Sequence, residues 1–545
     1  MFFSLINNNF KKIINHNKKF FKKNNEQISE NKQNLILIEF NNFTANHIGS
    51  SYLSNILKKK YNARIIAYFG HVLLNYNLER SFITNLKIKI GKLFSLNFFG
   101  VYKSFGVSDF FYPKATSDLY FLRDKYFKFF KNKIKTLKSL EKFKLAGVQI
   151  GDLLYDTYLK KNYDIIPTID LKNEKFLIFV KDFILLFLIW LKFFNQNKIK
   201  SVIASHSVYS LAIPLRIALK KKSDAYVLSP QYLRKLKKNF IYQSCEAKHF
   251  KKIFNNIDHK KKKDILNISK IKIDSRLKGN YSSDYPYVTK SPFGNFTKKK
   301  LLTSEKKTKV LIATHDFFDG PHANGIHLFS DYYHWFKFLC ETAKKTNYQW
   351  YVKTHPTYGK EWKRYVEYER KVVKNILKDY KNINLLPSYT THNQLVKEGI
   401  DAVFTVHGTI ALEYALFNVL SVNASLNNPH IKYNFTLHPS NKKELEKIIL
   451  NLREFQTKIN FNMNEILEFY STKNIFFSKN WLFQDYEKVV KQLGYHGLEG
   501  GKLEFYDYWI KNFNLTQHHE LNSKINKFVH SKNLFLLNNN NLGNF

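Results

Sequence analysis

Two side chains that suit a phosphate group stand close together at Lys353-Thr354-His355-Pro356. Lys353 and His355 alternate onto one face of a predicted strand, because successive side chains of a strand point to opposite faces. Pro356 ends that strand and keeps His355 extended. The lysine and the imidazole are therefore predicted to lie together at the strand's carboxyl end as donors to a phosphate. An ordinary histidine in a turn is the alternative.

The second candidate segment, residues 406–413, combines a histidine, a glycine, a hydroxyl and a carboxylate where a strand is predicted to become a helix. Gly408 permits the tight turn, and the free N–H groups of the new helix attract a phosphate. Thr409 adds a hydroxyl beside His407, and Glu413 shares its helical face with Thr409. The segment is predicted to bind the phosphate and ribose of a nucleotide. The alternative is a capped helix whose Glu413 faces solvent.

A polar loop, residues 315–325, follows the first predicted strand of the same half and carries two aspartates and two histidines. Asp316 and Asp319 are the first candidates for a general base, which needs a pKa near the working pH. A turn-rich connector is the alternative. No Asp-x-Asp pair of the kind that holds a divalent cation stands out in the sequence, so no metal and no cofactor are predicted.

Short apolar runs alternate with helical stretches throughout this half of the chain, which predicts a parallel, doubly wound sheet. Ligands of such sheets bind at the carboxyl ends of the strands, which is where the three candidate segments stand. The sheet would form a Rossmann-like domain over residues 306–480. Its predicted strands are 308–314, 348–354, a short run ending at 387, 401–406 and 419–422.

A similar set of runs organises the first half of the chain and predicts a second Rossmann-like domain, over residues 33–245. His47 follows the first run and His206 follows the third, so both stand where a ligand is expected. These two histidines are the second candidates for a general base. The runs are 35–40, 64–69, 201–205 and 224–228.

Three segments lie outside these two predicted domains. Residues 1–32 form a basic, Asn-rich tail in which apolar residues alternate with lysines. As a helix this tail would lie on an anionic membrane surface, and the alternative is a solvated, weakly ordered chain. Residues 246–305 are charged and turn-rich, which predicts a linker. Residues 481–545 are predicted to form C-terminal helices and a frayed end.

The chain is strongly basic. It has 545 residues with 88 Lys+Arg and 43 Asp+Glu, which gives a net charge of +45. Such a charge attracts polyanions and, with the many Tyr and Phe residues, makes a nucleic-acid-binding protein the rival prediction. The lysines are spread along the chain beside abundant Asn, Ile and Phe, so a biased composition explains them better than a binding patch. No specific nucleic acid is therefore predicted as a partner.

Cysteine content and apolar runs predict a cytoplasmic protein. The two cysteines are far apart and show no metal-ligand spacing. The longest apolar stretch, residues 176–194, contains Lys181 and Asp182, which disfavour a membrane span and favour a buried helix. The N-terminal sequence has no signal-peptide pattern. Membrane contact is expected only at the periphery of the inner face, through the N-terminal tail.

The runs KTHP, LLP and DAVFTVHGTIALEYALFNVLSV resemble the C-terminal half of bacterial capsule polysaccharide synthesis proteins, which include Kdo-transferase-like proteins. CDP-glycerol glycerophosphotransferases and bacterial sialyltransferases are more distantly similar. The resemblance covers about residues 308–450. It implies that His355 and Pro356 act near the donor phosphate. It also implies that residues 407–409 and Glu413 form the Gly-Ser/Thr loop of the family, with His-Gly-Thr where several relatives have paired serines.

The resemblance and the two predicted domains imply the GT-B architecture, in which two Rossmann-like domains face a cleft. They imply a metal-independent glycosyltransferase that moves a sugar from a nucleotide-activated donor to a growing capsule or lipopolysaccharide-type glycan. Lys353, His355 and the turn at Gly408 would stabilise the departing nucleotide phosphate. A polyol-phosphate transferase of the same fold is the alternative among enzymes. A non-catalytic scaffold of polysaccharide assembly is the alternative outside them.

Overall fold

Two compact α/β units make up the protein in its computed structural model. The first unit comprises Met1–Thr157, Leu171–Ile241 and Ser478–Phe545, and the second comprises Tyr158–Asp170 and Tyr242–Phe477. These bounds differ from the predicted domains, because a short early segment joins the second unit and the C-terminal residues join the first. The structure describes residues 8–21, 33–70, 82–162, 166–280, 293, 299–355, 363–387, 389–477, 481–483, 485–494 and 501–536.

The strands are short apolar runs. The first of them is buried at every position after Asn34, as expected for a parallel sheet that is covered on both faces. The strands of the described residues are β1 Asn34–Phe40, β2 Arg64–Phe69, β3 Val107–Phe111, β4 Lys144–Leu145, β5 Val148–Gln149, β6 Lys198–Ala204, β7 Asp224–Leu228, β8 Leu233–Lys235, β9 Lys309–Ala313, β10 Gln349–Lys353, β11 Ile383–Leu385, β12 Ala402–Thr405 and β13 Leu420–Asn423.

Helices connect the strands, and several begin at a polar side chain that caps their free N–H groups, such as Asn173, Asp331 and Thr391. The α-helices of the described residues are Asn8–Phe21, Thr44–Tyr61, Phe82–Leu93, Phe98–Ser104, Ser117–Lys133, Leu137–Glu141, Gly151–Lys161, Glu174–Gln196, Ile213–Lys220, Phe250–Asn255, His259–Leu277, Tyr332–Ala343, Lys363–Leu377, His392–Lys397, Ile410–Ala415, Lys442–Leu450, Leu452–Lys458, Met463–Tyr470, Tyr486–Leu493, Glu504–Asn512 and Leu515–His530. Shorter 3-10 or π-helical turns are Ser210–Ala212, Cys245–His249 and Ser471–Phe476.

The first unit is built on a six-stranded sheet with the order β3-β2-β1-β6-β7-β8. Strand β8 runs antiparallel to β7, and the other neighbours are parallel. The chain runs outward from β1 to β3 and then returns to β6 on the other side of β1. The strand order therefore reverses between β1 and β6, which is the position at which doubly wound sheets bind ligands.

The second unit is built on a five-stranded sheet with the order β11-β10-β9-β12-β13. All neighbouring strands are parallel. Val310 and Ile312 of β9 pack into the core on one face, and Leu311 and Ala313 pack on the other. The prediction of a parallel, doubly wound sheet is thus confirmed, and its strand order reverses between β9 and β12.

The N-terminal segment differs from the solvated tail that was one prediction for residues 1–32. Helix Asn8–Phe21 buries Phe10, Ile13, Ile14 and Phe21 in the core of the first unit. These residues lie on one face because helical neighbours are three and four positions apart. That face is covered by the unit itself, so it is not presented to a membrane. The rest of the predicted tail lies outside the described residues.

The predicted linker, residues 246–305, is part of the second unit as far as it is described. Its helix His259–Leu277 buries Ile265, Ser269, Ile273 and Arg276 at helical spacing, while its lysines are exposed or half-buried. The helical spacing of these buried residues was not predicted, because lysines dominate the composition of the segment. The segment therefore contributes side chains to the core instead of separating two domains.

The long apolar stretch forms the buried helix that the sequence predicts. Helix Glu174–Gln196 buries most of its aromatic and aliphatic residues, including Trp190, in the first unit. Among the described residues, no helix combines the length and the apolar content needed to cross a membrane. The described part of residues 481–545 contains three helices, and those helices pack in the core of the first unit.

Candidate functional site

Three histidines follow three neighbouring strands of the second unit. His315 comes two residues after β9, and His355 and His407 come two residues after β10 and β12. Since β10, β9 and β12 are adjacent and parallel, their carboxyl ends meet at one edge of the sheet. His355 and His407 were predicted as donor-binding residues, whereas His315 was predicted only as part of the polar loop that supplies the base. Pro356, predicted to act with His355, lies outside the described residues.

The rings of His315 and His407 stack where the strand order reverses. Their centroids are 4.5 Å apart and their planes differ by 18°. His327 stacks on His407 at 5.7 Å, and the ring of Tyr332 lies 5.1 Å from that of His315. The hydroxyl of Thr405 is 3.1 Å from His315 Nε2. The edge of the sheet therefore carries an ordered group of imidazoles.

The imidazoles of His315 and His407 are neutral at physiological pH. Burial lowers the pKa of His407 to about 4, and the nearby charge of Lys473 acts in the same direction. Burial also holds the pKa of His315 and of His430 well below the usual range. His407 Nδ1 is buried and makes no hydrogen bond to any described residue. Neutral rings offer N–H donors and nitrogen acceptors without a charge that repels other cations.

Lys473 is a cation of this site that the sequence analysis missed. It lies in the π-helical turn Ser471–Phe476 and is partly buried, with its Nζ 5.6 Å from the centroid of the Phe469 ring. Its charge lowers the pKa of both His407 and His430, which places it near both rings. Isolated π-helical turns are frequent at functional sites. A lysine in a mostly helical C-terminal region gave no sequence signal for this role.

The loop at residues 407–409 differs from the predicted phosphate-binding helix start. Helix Ile410–Ala415 has only six residues, and the Thr409 side chain does not cap it. A helix this short has a small dipole, because the dipole sums over aligned peptide units. Gly408 is needed for packing instead, since a Cβ there would lie 2.8 Å from the Thr405 hydroxyl oxygen.

Glu413, predicted to receive ribose hydroxyls, is engaged within the protein. Its Oε1 forms an ion pair with Arg276, and its Oε2 lies 3.3 Å from His392 Nε2. Glu413, Arg276 and His392 are all buried and both carboxylate oxygens have partners inside the protein, so Glu413 is not presented to a ribose. The prediction is corrected on this point. Arg276 was not predicted as a partner of Glu413, because it lies in the predicted linker.

Lys353 completes this buried charge cluster. Burial lowers its pKa to about 8, and the carboxylate of Glu413 opposes that shift. Lys353 thus keeps its charge at neutral pH. Burial, together with the charges of Lys353 and Arg276, keeps the pKa of His392 well below its usual range, so this ring is neutral. Two cations and one carboxylate leave the cluster with an excess positive charge, which favours a nearby anion.

Asp316 forms a buried carboxyl pair with Glu369 of helix Lys363–Leu377. The two side chains are in hydrogen-bond contact, and the Thr314 hydroxyl donates to Glu369 Oε1 at 2.5 Å. Burial raises the pKa of both carboxyls. The charge of His355 acts on Asp316, so the pair lies beside the histidine group. Asp316 is therefore well placed as a base, and Glu369 was not found from the sequence.

Asp319, the other candidate base of this loop, is half exposed and forms an ion pair with Lys160 at 2.8 Å. Burial works against the charge of Lys160, but the carboxylates of Asp319 and Asp316 outweigh it and raise the lysine pKa. Lys160 Nζ also lies 5.1 Å from the centroid of the Tyr365 ring. A paired, exposed carboxylate is a weaker proton acceptor than Asp316, so the geometry favours Asp316.

His47, the first of the two histidines predicted in the N-terminal half, is a core residue. Its Nδ1 is 2.6 Å from the Tyr506 hydroxyl and its Nε2 is 3.0 Å from the Asn41 carbonyl oxygen. It is 1% exposed, and burial lowers its pKa to about 4. With both nitrogens engaged inside the first unit, His47 has no atom for a substrate. Its prediction as a base is corrected.

His206 is exposed at the carboxyl end of β6, as the sequence predicts. Its Nδ1 lies 2.7 Å from the Ser205 hydroxyl, which donates to the buried Glu39 carboxylate at 2.7 Å. Since the serine proton goes to Glu39, the serine oxygen accepts from Nδ1–H of His206. This pattern leaves Nε2 as the acceptor of the ring.

We expect acid to destabilise the protein through His47. Its folded pKa of about 4 lies below the usual value of 6.5, so the unfolded state binds the proton first as the pH falls. This contribution to stability is intact above pH 6.5 and is lost as the pH falls toward 4. The loss amounts to about 2 kcal/mol at pH 5. Urea unfolding at pH 7.5 and pH 5 measures the loss.

The variant His47→Gln is expected to lose less free energy of unfolding between the two pH values than the wild type. His259→Gln, at an exposed position, is the control and should show the wild-type loss. An equal loss in His47→Gln and the control would show that His47 does not carry the effect.

Two further features bear on the location of the site. A cavity of about 540 Å³ lies among the C-terminal helices of the first unit, and its lining includes Trp509 and Lys524 but none of the predicted site residues. Within the described part of the chain, no group of three or more His, Cys, Asp or Glu side chains is arranged to hold a metal ion.

Comparison with known proteins gives only distant likenesses. No protein-family model matches the sequence, and no curated protein matches it. The structure is similar to a β-Kdo 2,4 transferase, KpsC of Thermosulfurimonas dismutans, with 9% identity and a TM-score of 0.32 over 50% of this chain and 79% of that chain. It is also similar to the UDP-GlcNAc 2-epimerase of Neisseria meningitidis, with 10% identity and a TM-score of 0.23 over 81% of this chain and 97% of that chain.

A third similar structure is the wall teichoic acid polymerase TagF, with 12% identity and a TM-score of 0.19 over 92% of this chain and 98% of that chain. At these TM-scores the likenesses carry no weight for the fold or the site. The α/β fold with parallel sheets rests on the strand order and pairing of the two units themselves.

Proposed function

We propose that the second unit binds an activated sugar nucleotide and that the protein transfers the sugar to a surface glycan of the capsule or lipopolysaccharide type. The observation that carries this proposal is the stacked pair of His315 and His407 at the point where the strand order reverses. Doubly wound sheets bind nucleotides at that point. The sequence resemblance to capsule polysaccharide synthesis proteins supports the choice of a sugar nucleotide.

The charges of the site suit a diphosphate. The neutral rings of His315 and His407 supply hydrogen-bond donors, and His407 Nδ1 has no partner among the described residues. Lys473 and the excess positive charge of the cluster around Lys353 supply the compensating cations. Charge-assisted hydrogen bonds to phosphate oxygens are stronger than neutral ones, and burial strengthens them further.

The reaction is a displacement at the anomeric carbon of the sugar. A hydroxyl of the acceptor glycan forms the new bond to that carbon, and the bond from the carbon to the donor phosphate breaks. Asp316 takes the hydroxyl proton, and the departing phosphate keeps the bonding electrons. The imidazole donors and Lys473 stabilise the negative charge that develops on the phosphate, which lowers the barrier.

Nucleotide binding tests the proposal directly. We expect one of CMP, CDP, UDP, GDP or ADP to raise the melting temperature, because a ligand at a hundred times its Kd stabilises a protein by about 2.7 kcal/mol. The variant His407→Ala should lose this response, since it removes the central ring of the group. His259→Ala replaces an exposed histidine of the same unit and should keep it.

The outcome decides between the candidate functions. A shift that the His407 variant loses locates the nucleotide, and the base that binds indicates the class of sugar. Product analysis then separates sugar transfer from polyol-phosphate transfer. If none of the nucleotides changes the melting temperature of the wild type, the proposal is wrong, and salt-sensitive RNA binding becomes the next measurement.

A further inference from the structure

Asp316 and Glu369 form a pair of two acidic side chains, whereas an ion pair joins an acidic and a basic one. The two acidic side chains are in hydrogen-bond contact with each other, and Glu369 is completely buried. One oxygen of each, Asp316 Oδ1 and Glu369 Oε2, is buried and receives no hydrogen bond from any N–H or O–H group of the described residues. Two ionised carboxylates in such contact repel each other strongly. A proton held between them removes the repulsion.

The surroundings decide which carboxyl keeps the proton. Asp316 is less enclosed than Glu369 and feels the positive charges of Lys160 and His355, which favour its ionised form. The carboxylate of Asp319 acts in the opposite direction on Asp316. Burial favours the neutral form of Glu369, and the carboxylate of Asp316 acts in the same direction. The negative charge therefore lies mainly on Asp316, and the proton lies on Glu369.

Further hydrogen bonds fix Glu369 in place. It accepts from the Thr314 hydroxyl at 2.5 Å and from the backbone N–H of His355. Thr314 directly follows β9, and His355 lies two residues beyond β10. Glu369 thus forms hydrogen bonds at the carboxyl ends of two adjacent strands. Each of these strands is followed by a histidine of the candidate site.

We propose that Asp316 and Glu369 share a single proton, with Glu369 as a positioning residue that donates it to Asp316 and thereby sets the proton affinity of the base. This inference rests on the proposed function for its catalytic meaning. Before reaction the pair carries one proton and one negative charge. When the acceptor hydroxyl attacks, its proton passes to Asp316, and the pair becomes neutral with two protons. One of these leaves to solvent before the next turnover.

Infrared spectroscopy tests the shared proton without any need for activity. At pH 7 the difference spectrum between the wild type and Glu369→Gln should contain a carboxylic-acid C=O band of the wild type, because the variant lacks the protonated carboxyl. Glu367→Gln changes an exposed glutamate of the same helix and should give no such band. Absence of the band from the Glu369→Gln difference spectrum overturns the proposal.

The pH profile of sugar transfer tests the positioning role. Glu369→Gln keeps a donor to Asp316, but an amide N–H stabilises a carboxylate less than a carboxylic acid does, so we expect activity to persist and the acid limb to move up by about one pH unit. A merely structural role would lower stability and leave the acid limb in place. If the infrared band behaves as expected and no transfer is detected with any donor, the shared proton stands and the proposed function fails.

Discussion

Replacing Asp316 with asparagine is expected to lower the rate of sugar transfer by about 10²–10⁴-fold, the usual contribution of a general base. The amide of the variant has the shape of the carboxyl but cannot accept the proton of the acceptor hydroxyl. Nucleotide binding should change little, because Asp316 lies beside the imidazole group and not among its donors. Transfer rates at saturating donor, together with the nucleotide-induced rise in melting temperature, measure the two effects separately.

Asp319→Asn is the matched control for this prediction. Asp319 belongs to the same loop, but it is half exposed and paired with Lys160. We expect its replacement to leave the transfer rate within a few-fold of the wild type, a small change on the scale of general-base catalysis. Should Asp319→Asn prove as inactive as Asp316→Asn, the base would have to be assigned to Asp319 or to the loop as a whole.

The second large effect is expected from Glu413→Ala, with a loss of about 3–5 kcal/mol in the free energy of unfolding. The variant leaves Arg276 and Lys353 buried without their carboxylate. A buried charge without a counter-charge is far more costly than the loss of an ion pair at the surface. Urea unfolding at pH 7 measures the loss.

Two comparisons separate charge from packing in this cluster. The double variant Arg276→Met with Glu413→Leu should regain part of the lost stability, because apolar residues often replace a buried ion pair without loss. Glu454→Ala breaks an exposed ion pair with Lys458 and should leave the unfolding midpoint unchanged. A double variant less stable than Glu413→Ala would contradict the electrostatic explanation.

The sheet of the second unit was predictable because its strands are continuous apolar runs. The residues 309–313, 349–353 and 402–405 lie within the predicted strands, and the polar residues that follow them carry the histidine group. Parallel pairing then brings these ends together, since such sheets bind their ligands at one edge. Local sequence therefore located His355 and His407, together with the loop of Asp316.

The partners of these residues were not predictable, because they come from distant helices. Arg276 and Glu413 are 137 positions apart, and Glu369 lies 55 positions from Thr314. A lysine-rich helix with one buried arginine has the composition of a linker, and a glutamate among exposed lysines has the composition of a solvated face. Only the packed structure shows that each of these side chains points inward.

Because the C-terminal helices pack in the first unit, that unit can be completed only after the C-terminal residues have been synthesised. Lys12 and Asp507 form an ion pair across 495 residues. A ribosome adding about 5–20 residues per second needs roughly 25–100 s to cover that distance. For that period the apolar side of helix Asn8–Phe21 lacks the C-terminal helices that cover part of it. A chain that ends before residue 504 is therefore expected to leave part of this apolar side exposed.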